Sequence, residues 1–236
     1  RITFANDKHV ETFVSKSLNQ LIVTVPEDAQ TGPLILFYGG TDSMAVQTDD
    51  TLKVVLPVAT SLSPNPIKHD DELTITGTNM DLVKQILFTG VATPITTFEN
   101  QSLTEIVVKV PGGAKKGKLT FVAASGEKTI LDDELELILP AVTTMAPNPV
   151  DPGADLTITG TNLDLVTSVT FDNAPAVTSF ISQSATQIKV TVPMGVLRGQ
   201  LIFGILNSTV TVQSPDILEI TGSVPPPTIS FPFYTD

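Results

Sequence analysis

The sequence predicts an all-β protein built from tandem β-sandwiches, and an eight-residue phrase that occurs twice is the main observation behind that prediction. The phrase runs from Leu73 to Met80 and again from Leu156 to Leu163, 83 residues further on, and seven of its eight positions are identical. Within it Leu and Ile alternate with Thr, which places aliphatic side chains on one face of a strand and hydroxyls on the other. No segment shows a long amphipathic helical pattern, so strands separated by turns account for the chain.

Each copy of the phrase contains Gly-Thr-Asn, which is expected to take the chain out of the strand. Glycine reaches positive φ without penalty, and an Asn side chain can bond to nearby backbone in place of a ladder partner. We therefore expect the chain to leave the strand from Gly77 in the first copy and from Gly160 in the second.

Further landmarks recur at near-constant spacing and extend the repeat back to residue 4. Each aligned proline closes a strand of alternating aliphatic residues, because proline removes a backbone donor. A glycine six residues later is expected to turn the chain into the next strand. The aligned sets are Phe4, Phe88 and Phe171; Phe13, Phe98 and Phe180; Pro26, Pro111 and Pro193; and Gly32, Gly117 and Gly199.

These landmarks divide the chain into four predicted segments. They are an incomplete repeat (1–57), two complete repeats (58–140 and 141–222) that both open with Pro-Asn-Pro, and a Pro-rich linker with the start of a further domain (223–236). The first repeat lacks the counterpart of about 28 residues of the second, including its copy of the Leu-Thr-Ile-Thr-Gly strand. We expect it to expose apolar sheet surface unless the missing segment is supplied by a further part of the chain or by a neighbouring molecule.

The joints between the repeats are very short. Leu56-Pro57 and Leu139-Pro140 pass directly from the last strand of one repeat into the next, with no Gly/Ser tract between them. A flexible linker would need such a tract, so the sequence predicts an extended, semi-rigid rod of domains.

Composition disfavours several classes of partner. The formal net charge is −12 and the pI is near 4.4, whereas nucleic acids and anionic membrane surfaces require a basic footprint. There is no Cys, and therefore no disulfide or thiolate metal site. No run of 18 or more apolar residues occurs, and the first residues lack the pattern of a signal peptide. We expect the chain to be the interior of a longer protein.

With these landmarks placed, the repeat resembles the IPT/TIG family of immunoglobulin-like domains. The family signature is similar to Pro, then a strand ending in Thr-Gly-Thr-Asn-Leu, then a Val-Thr-Phe strand. The third repeat matches it with Leu156–Leu163 and Ser168–Phe171, and the second is close to it with Gln85–Phe88. The first repeat departs from it because its opening third is missing. The resemblance implies tandem immunoglobulin-like β-sandwiches.

Tandem domains of this family that lack Cys, are acidic and precede a Pro-rich linker resemble the surface glycan-binding proteins of Bacteroidetes polysaccharide-utilisation systems. This resemblance implies a non-catalytic lipoprotein on the extracellular face of the outer membrane. Its Ig-like units would form a stalk from an upstream lipid anchor, and a C-terminal domain would bind the polysaccharide. An outer-membrane glycan import complex is a further implied partner.

Two short motifs and one alternative accompany that interpretation. Asp42-Ser43-Met44 and Asp50-Thr51-Leu52 are similar to the O-glycosylation motif of that phylum. The same domain type also occurs in plexin-like receptors, some transcription factors and starch-active enzymes. An adhesion or protein–protein interaction protein is therefore the alternative to the glycan-binding stalk.

The sequence contains no set of residues suited to nucleophilic or acid–base catalysis, and no phosphate loop or zinc spacing. We therefore expect no enzymatic activity, no cofactor and no metal site. His9 and His69 are interpreted as solvated. The carboxylate runs Asp70–Glu72 and Asp132–Glu134 lack the ligand spacing of a calcium loop and are interpreted as solvated turn charges.

Exposed aromatic rings are the usual platform for a sugar, and they decide the ligand-binding candidates. Eight Phe residues are predicted to be core residues inside strands, namely Phe4, Phe13, Phe88, Phe98, Phe121, Phe171, Phe180 and Phe203. Phe37 is predicted to face away from Leu34 and Leu36, beside Tyr38 and Gly39-Gly40. Phe37 and Tyr38 are the candidate ligand contacts, with packing as the favoured interpretation. Phe231, Phe233 and Tyr234 are predicted to belong to the first core strand of the following domain.

Overall fold

The computed structural model describes residues 1–39 and 44–222, and within them the fold is all-β, as expected. The first repeat holds β1 (Ile2–Thr3), β2 (His9–Val10), β3 (Ser15–Lys16), β4 (Leu21–Ile22), β5 (Gly32–Tyr38) and β6 (Met44–Leu52). The second holds β7 (Val58–Ser63), β8 (Glu72–Thr78), β9 (Val83–Leu87), β10 (Asn100–Gln101), β11 (Glu105–Lys109), β12 (Gly117–Ala123) and β13 (Lys128–Leu135). The third holds β14 (Ala141–Ala146), β15 (Asp155–Thr161), β16 (Val166–Thr170), β17 (Ser182–Gln183), β18 (Gln187–Thr191), β19 (Ile202–Ile205) and β20 (Thr211–Gln213). Two 3-10 turns, η1 (Met80–Leu82) and η2 (Leu163–Leu165), are the helical elements of the described part.

The chain forms two compact units, Arg1–Leu137 and Ile138–Asp236. The first unit contains strands β1 to β13, and the second contains β14 to β20. Predictions on Gly40, on Asp42 and Ser43, and on residues 223–236 with Phe231, Phe233 and Tyr234, lie outside the described residues.

Each complete repeat is a sandwich of two antiparallel sheets with one shared strand order. In the second repeat the sheets run β10-β11-β8-β7 and β13-β12-β9, and in the third they run β17-β18-β15-β14 and β16-β19-β20. In the second repeat, the aliphatic face of the repeated phrase supplies Leu73 and Ile75, which pack in one cluster with Ile86 and Phe121 of the other sheet. All four side chains are at most 1% exposed, so the alternation in the phrase does define a core face.

The glycine of the repeated phrase is required by a close backbone approach, and the expectation of positive φ is wrong. Strands β8 and β15 continue through Gly77 and Gly160 to the following threonine, and neither glycine has a positive φ. A Cβ on Gly77 would overlap the carbonyl oxygen of Val58 on β7, and a Cβ on Gly160 would overlap that of Ala141 on β14. The position accepts only a residue without a side chain, because the neighbouring strand lies against it.

The asparagine that follows takes the chain out of the strand. Asn79 and Asn162 have φ values of 55° and 53°, in the left-handed region that Asn tolerates better than most residues. Their side chains bind backbone carbonyls 23 residues earlier in the chain, in place of the adjacent backbone that the sequence predicts. The Nδ2 group of Asn79 donates to the carbonyl of Leu56 at 3.4 Å, and that of Asn162 donates to the carbonyl of Leu139 at 3.1 Å. Each amide therefore binds the leucine of the Leu-Pro joint that precedes its own repeat.

The first repeat has one full sheet, β2-β1-β5-β6, and a separate hairpin, β3-β4. By register and sequence the hairpin corresponds to β10–β11 and β17–β18, which in the complete repeats pair onward to β8 and β15. Among the described residues no strand takes that place beside β4. The buried core of the first repeat is correspondingly reduced to Ile2, Phe4 and Ala29.

The predicted core phenylalanines fall into two groups. Five are at most 3% exposed, namely Phe4, Phe88, Phe121, Phe171 and Phe203. The other three, Phe13, Phe98 and Phe180, are half-buried and pack against the edges of the clusters. Only Phe121 and Phe203 lie within strands, so the strand-interior assignment is wrong for the other six. Those six lie in the segments just before or just after a strand, which alternation within a strand does not describe.

We predict that Gly160→Ala lowers the unfolding free energy of the third repeat by about 3 kcal/mol, because its methyl group would be forced into the backbone of β14. The matched control is Gly195→Ala, where φ is +78° and nothing lies within 4 Å of the added Cβ. At Gly195 the added methyl group only makes the left-handed backbone conformation less favourable, by about 1 kcal/mol. Hydrogen exchange of the amides of β15 and β18 measures both values. Equal losses at the two glycines would contradict the close-approach explanation.

Candidate functional site

Phe37 and Tyr38 lie at the end of β5, on opposite faces of the strand. Leu34 and Leu36 pack against the core of the first repeat, and Phe37 lies on the other face, as the alternation predicts. The guanidinium of Arg1 is 4.3 Å from the centre of the Phe37 ring, at the distance of a cation–π contact. One face of Phe37 is therefore covered by a cation, whereas Tyr38 is 48% exposed.

The structure places both candidate residues on one cleft. The cleft has a volume of about 560 Å³, and its lining includes Phe13, Phe37, Tyr38 and the segment 16–21 of the hairpin. Its size is in the range of small-ligand sites, roughly 300–1,000 Å³. The sequence predicts Phe13 as a core residue, whereas the structure places it half-buried on this cleft. The signal for this position in the sequence is that the first repeat lacks the strands that precede β1 in the repeat pattern.

The apolar part of this cleft is core surface that the complete repeats cover. Leu21 and Leu36 line it, and their counterparts in the second repeat, Ile106 and Phe121, are 0% and 1% exposed. The equivalence rests on matching registers, in which Leu36 pairs with Ile2 and Phe121 pairs with Ile86. The concavity therefore lies where the complete repeats hold two further strands, for which the described residues of the first repeat include no counterpart. Its lining also includes the polar side chains of Arg1, Lys16, Asn19 and Gln20.

Polar side chains that recur between the complete repeats bind the backbone of their own sandwich. The Nε2 group of Gln101 donates to the carbonyls of Met80 and Val83 at 2.9 and 2.8 Å, which holds the η1 turn. Gln183 does the same for the η2 turn, with distances of 2.8 and 2.7 Å. In the first repeat the equivalent residue is Lys16. No η turn precedes the hairpin there among the described residues.

The asparagine of each Pro-Asn-Pro makes a second set of hydrogen bonds that recurs between the complete repeats. Asn65 donates to the carbonyl of Glu134 at 2.9 Å and accepts from the amide of Glu136 at 2.8 Å. Asn148 makes the matching pair of bonds with Ile217 and Glu219, at 3.0 and 2.8 Å. Each side chain thereby closes its loop against the last strand segment of the repeat.

A repeated ion pair lies beside this loop. Arg198 donates to the carboxylate of Glu219 through Nε at 3.0 Å and through a terminal nitrogen at 2.7 Å. That hydrogen bonding, and then the charge of the guanidinium, lowers the pKa of Glu219. At the equivalent position Lys116 lies 2.5 Å from Glu136. The hydrogen bond and charge of Glu136 raise the pKa of Lys116. In both complete repeats this ion pair therefore joins two segments of the same sandwich.

The two histidines have different environments. His9 is exposed on β2, whereas His69 is only 4% exposed and its Nε2 group donates to the carbonyl of Ala114 at 2.9 Å. The interpretation of His69 as solvated is therefore wrong, because the loop after Pro66 folds its ring against a second loop of the same sandwich. In the part of the chain that the structure describes, no three His, Cys, Asp or Glu residues are grouped as metal ligands. Within the same residues no helix has the length and apolar character to cross a membrane.

The two-sheet sandwiches with a shared strand order define a protein of tandem immunoglobulin-like domains. More specifically, the chain belongs to the IPT/TIG domain family, whose model matches residues 57–132 and 140–228. The resemblance drawn from the repeated phrase is thereby confirmed. Among curated proteins, no sequence matches this chain.

Solved structures with a similar fold include two surface glycan-binding proteins and a receptor. One is the SGBP-B of the Bacteroides ovatus mixed-linkage glucan utilization locus, in complex with a mixed-linkage heptasaccharide (19% identity, 80% of this chain and 52% of that chain, TM-score 0.30). The second is PbSGBP-B from Prevotella bryantii (16%, 71% and 43%, TM-score 0.32). The receptor is the plexin A4 extracellular region (18%, 70% and 18%, TM-score 0.32). The chain spans about half the length of the two glycan-binding proteins, and at these identities the likeness concerns the fold alone.

We predict that Arg198→Gln destabilises the third repeat at pH 7 and that the difference from the wild type disappears in acid. The lowered pKa of Glu219 means that the pair contributes stability above the unfolded-state pKa of a glutamate. That contribution is lost as the pH falls through the lowered pKa of the folded state. Urea unfolding between pH 7 and pH 2 measures the effect. Glu219→Gln is the matched control, and a double variant that loses the sum of both single effects would contradict the pairing.

Proposed function

We propose that this chain is part of a non-catalytic, cell-surface polysaccharide-binding protein, and that its complete sandwiches are a spacer for a glycan-binding domain on their C-terminal side. The observation that carries the spacer role is the use of the repeated polar side chains. Gln101, Gln183, Asn65 and Asn148 all bind the backbone of their own sandwich. The polar side chains that recur between the repeats thus maintain the sandwich framework, as expected for a spacer.

The outer sheet faces of the complete repeats support the same role. Thr74 and Thr76 on β8, and Thr157 and Thr159 on β15, lie on the face opposite the core. Thr76 and Thr159 are bridged to the neighbouring strand by hydroxyl contacts, such as that between Ser61 and Thr76 at 2.6 Å. A strand face lined by hydroxyl groups is polar, unlike the large apolar patches that mark a binding surface.

The joint between the first two repeats is tied by side chains from both. Gln30 donates through Nε2 to the carbonyl of Ser125 at 2.8 Å. Lys84 lies 3.8 Å from Glu27, and Asn79 binds Leu56 just before the joint. These contacts favour a joint of limited freedom between the first and second repeats, and they support the proposal of a spacer.

The polysaccharide part of the proposal is supported by the sequence resemblance to Bacteroidetes surface glycan-binding proteins. On that basis the protein is placed at the outer membrane, with a lipid anchor upstream of these repeats. A glycan import complex is its proposed partner. The IPT/TIG fold and the absence of a catalytic constellation from the sequence both favour a binding protein over an enzyme.

A protein–protein interaction role is the second candidate, and one observation favours it. The first repeat exposes large aliphatic side chains, among them Val14 (69%), Leu18 (103%), Val25 (47%) and Val46 (53%). An adhesion protein would use such a surface. The complete repeats expose fewer such side chains for their length, although Ile130 (61%) and Met194 (77%) are among them, so the feature bears mainly on the first repeat.

The spacer proposal predicts that the migration of residues 1–236 alone is not retarded in affinity electrophoresis against a panel of plant and microbial polysaccharides. The parent protein with its downstream domain should be retarded. Phe37→Ala in the parent should change the affinity by less than twofold, because the ring is already covered by Arg1. Tyr38→Ala is the matched exposed variant and should behave alike. A tenfold loss in either variant, or retardation of residues 1–236 alone, would move the glycan site into the first repeat.

A further inference from the structure

The loop that follows the Val-Pro strand of the first repeat contacts the second repeat. We call this loop the tip loop, and in the three repeats it covers residues 26–30, 111–115 and 193–197. Gln30, four residues after the aligned proline, donates through Nε2 to the carbonyl of Ser125 at 2.8 Å. Glu27, one residue after that proline, lies 3.8 Å from Lys84. The first and fourth positions after the proline are thus positions whose side chains contact the following repeat.

In the third repeat the same two positions carry exposed apolar side chains. Met194 takes the place of Glu27 and is 77% exposed, and Leu197 takes the place of Gln30 and is 53% exposed. Neither side chain carries a hydrogen-bond donor. A partner that stabilises them is therefore apolar itself and removes their surface from water.

The third tip loop is anchored in its own sandwich like the other two. Its residue Val196 is 5% exposed, and the equivalent Ala29 and Ala114 are both 0% exposed. Only the outward positions differ in character between the loops. In the second repeat they are Gly112 and Lys115, so the apolar pair occurs only in the repeat that the Pro-rich segment follows.

The chain leaves the third repeat beside this loop. The amide of Thr221 donates to the carbonyl of Val150 at 2.9 Å. Gly153 lies three residues after Val150, and a Cβ on Gly153 would be 3.5 Å from the sulfur of Met194. The described part of the chain therefore ends close to Met194.

The residues after the Pro-rich linker can supply an apolar face. Ile229, Phe231 and Phe233 are spaced two apart, and alternate residues of an extended segment share one face. Six residues, 223–228, precede them and include three consecutive prolines. Such a spacer extends by about 3 Å per residue, roughly 20 Å in all, which is enough to reach a loop beside the exit.

We infer that the third tip loop is the docking surface for segment 229–233 of the same chain, whose apolar face covers Met194 and Leu197. In the third repeat this contact has the place that the Gln30 and Glu27 contacts have in the first, with apolar surface instead of polar groups. A Pro-rich spacer limits the distance between two parts of a chain, and the docked segment also limits their relative direction. The inference concerns a contact within the chain, and it goes beyond the spacer proposal.

The oxidation rate of Met194 in residues 1–236 tests this contact, because hydrogen peroxide converts an accessible methionine sulfur to the sulfoxide. We expect Met194 to oxidise at least fivefold faster in the double variant Phe231→Ser, Phe233→Ser than in the unchanged chain. The variant loses the apolar face of the segment and keeps its length. Mass spectrometry of digested samples measures the rate at each methionine.

Two controls belong to the same chain. Met44 is 50% exposed on β6 of the first repeat, so its oxidation rate should be equal in all samples. Tyr234→Ser removes an aromatic ring from the opposite face of an extended segment. That variant should change the rate at Met194 less than twofold.

Chymotrypsin cleavage after Phe233 gives a readout from the other side of the contact. Leu197→Asp should raise the cleavage rate at least fivefold, since a carboxylate placed against the apolar face releases the segment. Leu206→Asp is the matched control and should change the rate less than twofold. Leu206 is 51% exposed but lies at the opposite end of the third repeat, where its amide donates to the carbonyl of Leu165 at 2.8 Å.

Equal oxidation of Met194 in the unchanged chain and in the double variant would overturn the inference. So would slow oxidation that reaches the rate of the double variant on dilution, because a second copy of the chain would then cover the loop. Either result leaves the spacer proposal standing, since retardation by polysaccharides is measured separately.

Discussion

The pairing of the Leu-Thr-Ile-Thr-Gly strand with the strand that ends in Val-Pro is the interaction on which each sandwich depends. It places Leu73 and Ile75 at the centre of the second repeat, and Leu156 and Ile158 at the centre of the third, all 0% exposed. The other edge of the same strand lies so close to β7 or β14 that only glycine fits. The asparagine two residues later then turns the chain, and its side chain binds the leucine of the Leu-Pro joint before the repeat. One strand thus connects the core, the sheet and the joint.

The described residues of the first repeat include no counterpart of that strand. Its hairpin keeps the geometry of its counterparts, with Ser17, Ser102 and Ser184 each bonded to the carbonyl three residues on, at 3.4, 3.3 and 3.3 Å. Its buried core is limited to Ile2, Phe4 and Ala29, and a cleft lies where the complete repeats hold two further strands. Local hairpin structure needs only turn bonds and short-range pairing. Burial of the hairpin needs residues from a strand that lies elsewhere in the sequence.

This contrast separates two kinds of surface. In the complete repeats the recurring amides bind the backbone of their own sandwich, and the two charged groups of each recurring ion pair bind each other, which suits a spacer. In the first repeat, Val14, Ile22 and Val25 are exposed along the hairpin. An aromatic platform for sugar is the least supported use of the cleft, since Arg1 covers one face of Phe37 and the apolar lining is opened core.

The sequence by itself determined the strand alternation, the order of the repeats and the core role of Phe121 and Phe203, because these depend on periodicity and on spacing along the chain. The family followed from the resemblance of the repeated phrase to a known signature. It also indicated that the first repeat would expose apolar surface. Only the tertiary structure decided why Gly77 and Gly160 are glycine, that His69 is buried, and that Phe13 borders a cleft together with Phe37 and Tyr38. Each of these depends on which backbone or side chain arrives from a distant part of the chain. A carbonyl of β7 beside Gly77, or one of Ala114 beside His69, leaves no mark in the local pattern of residues.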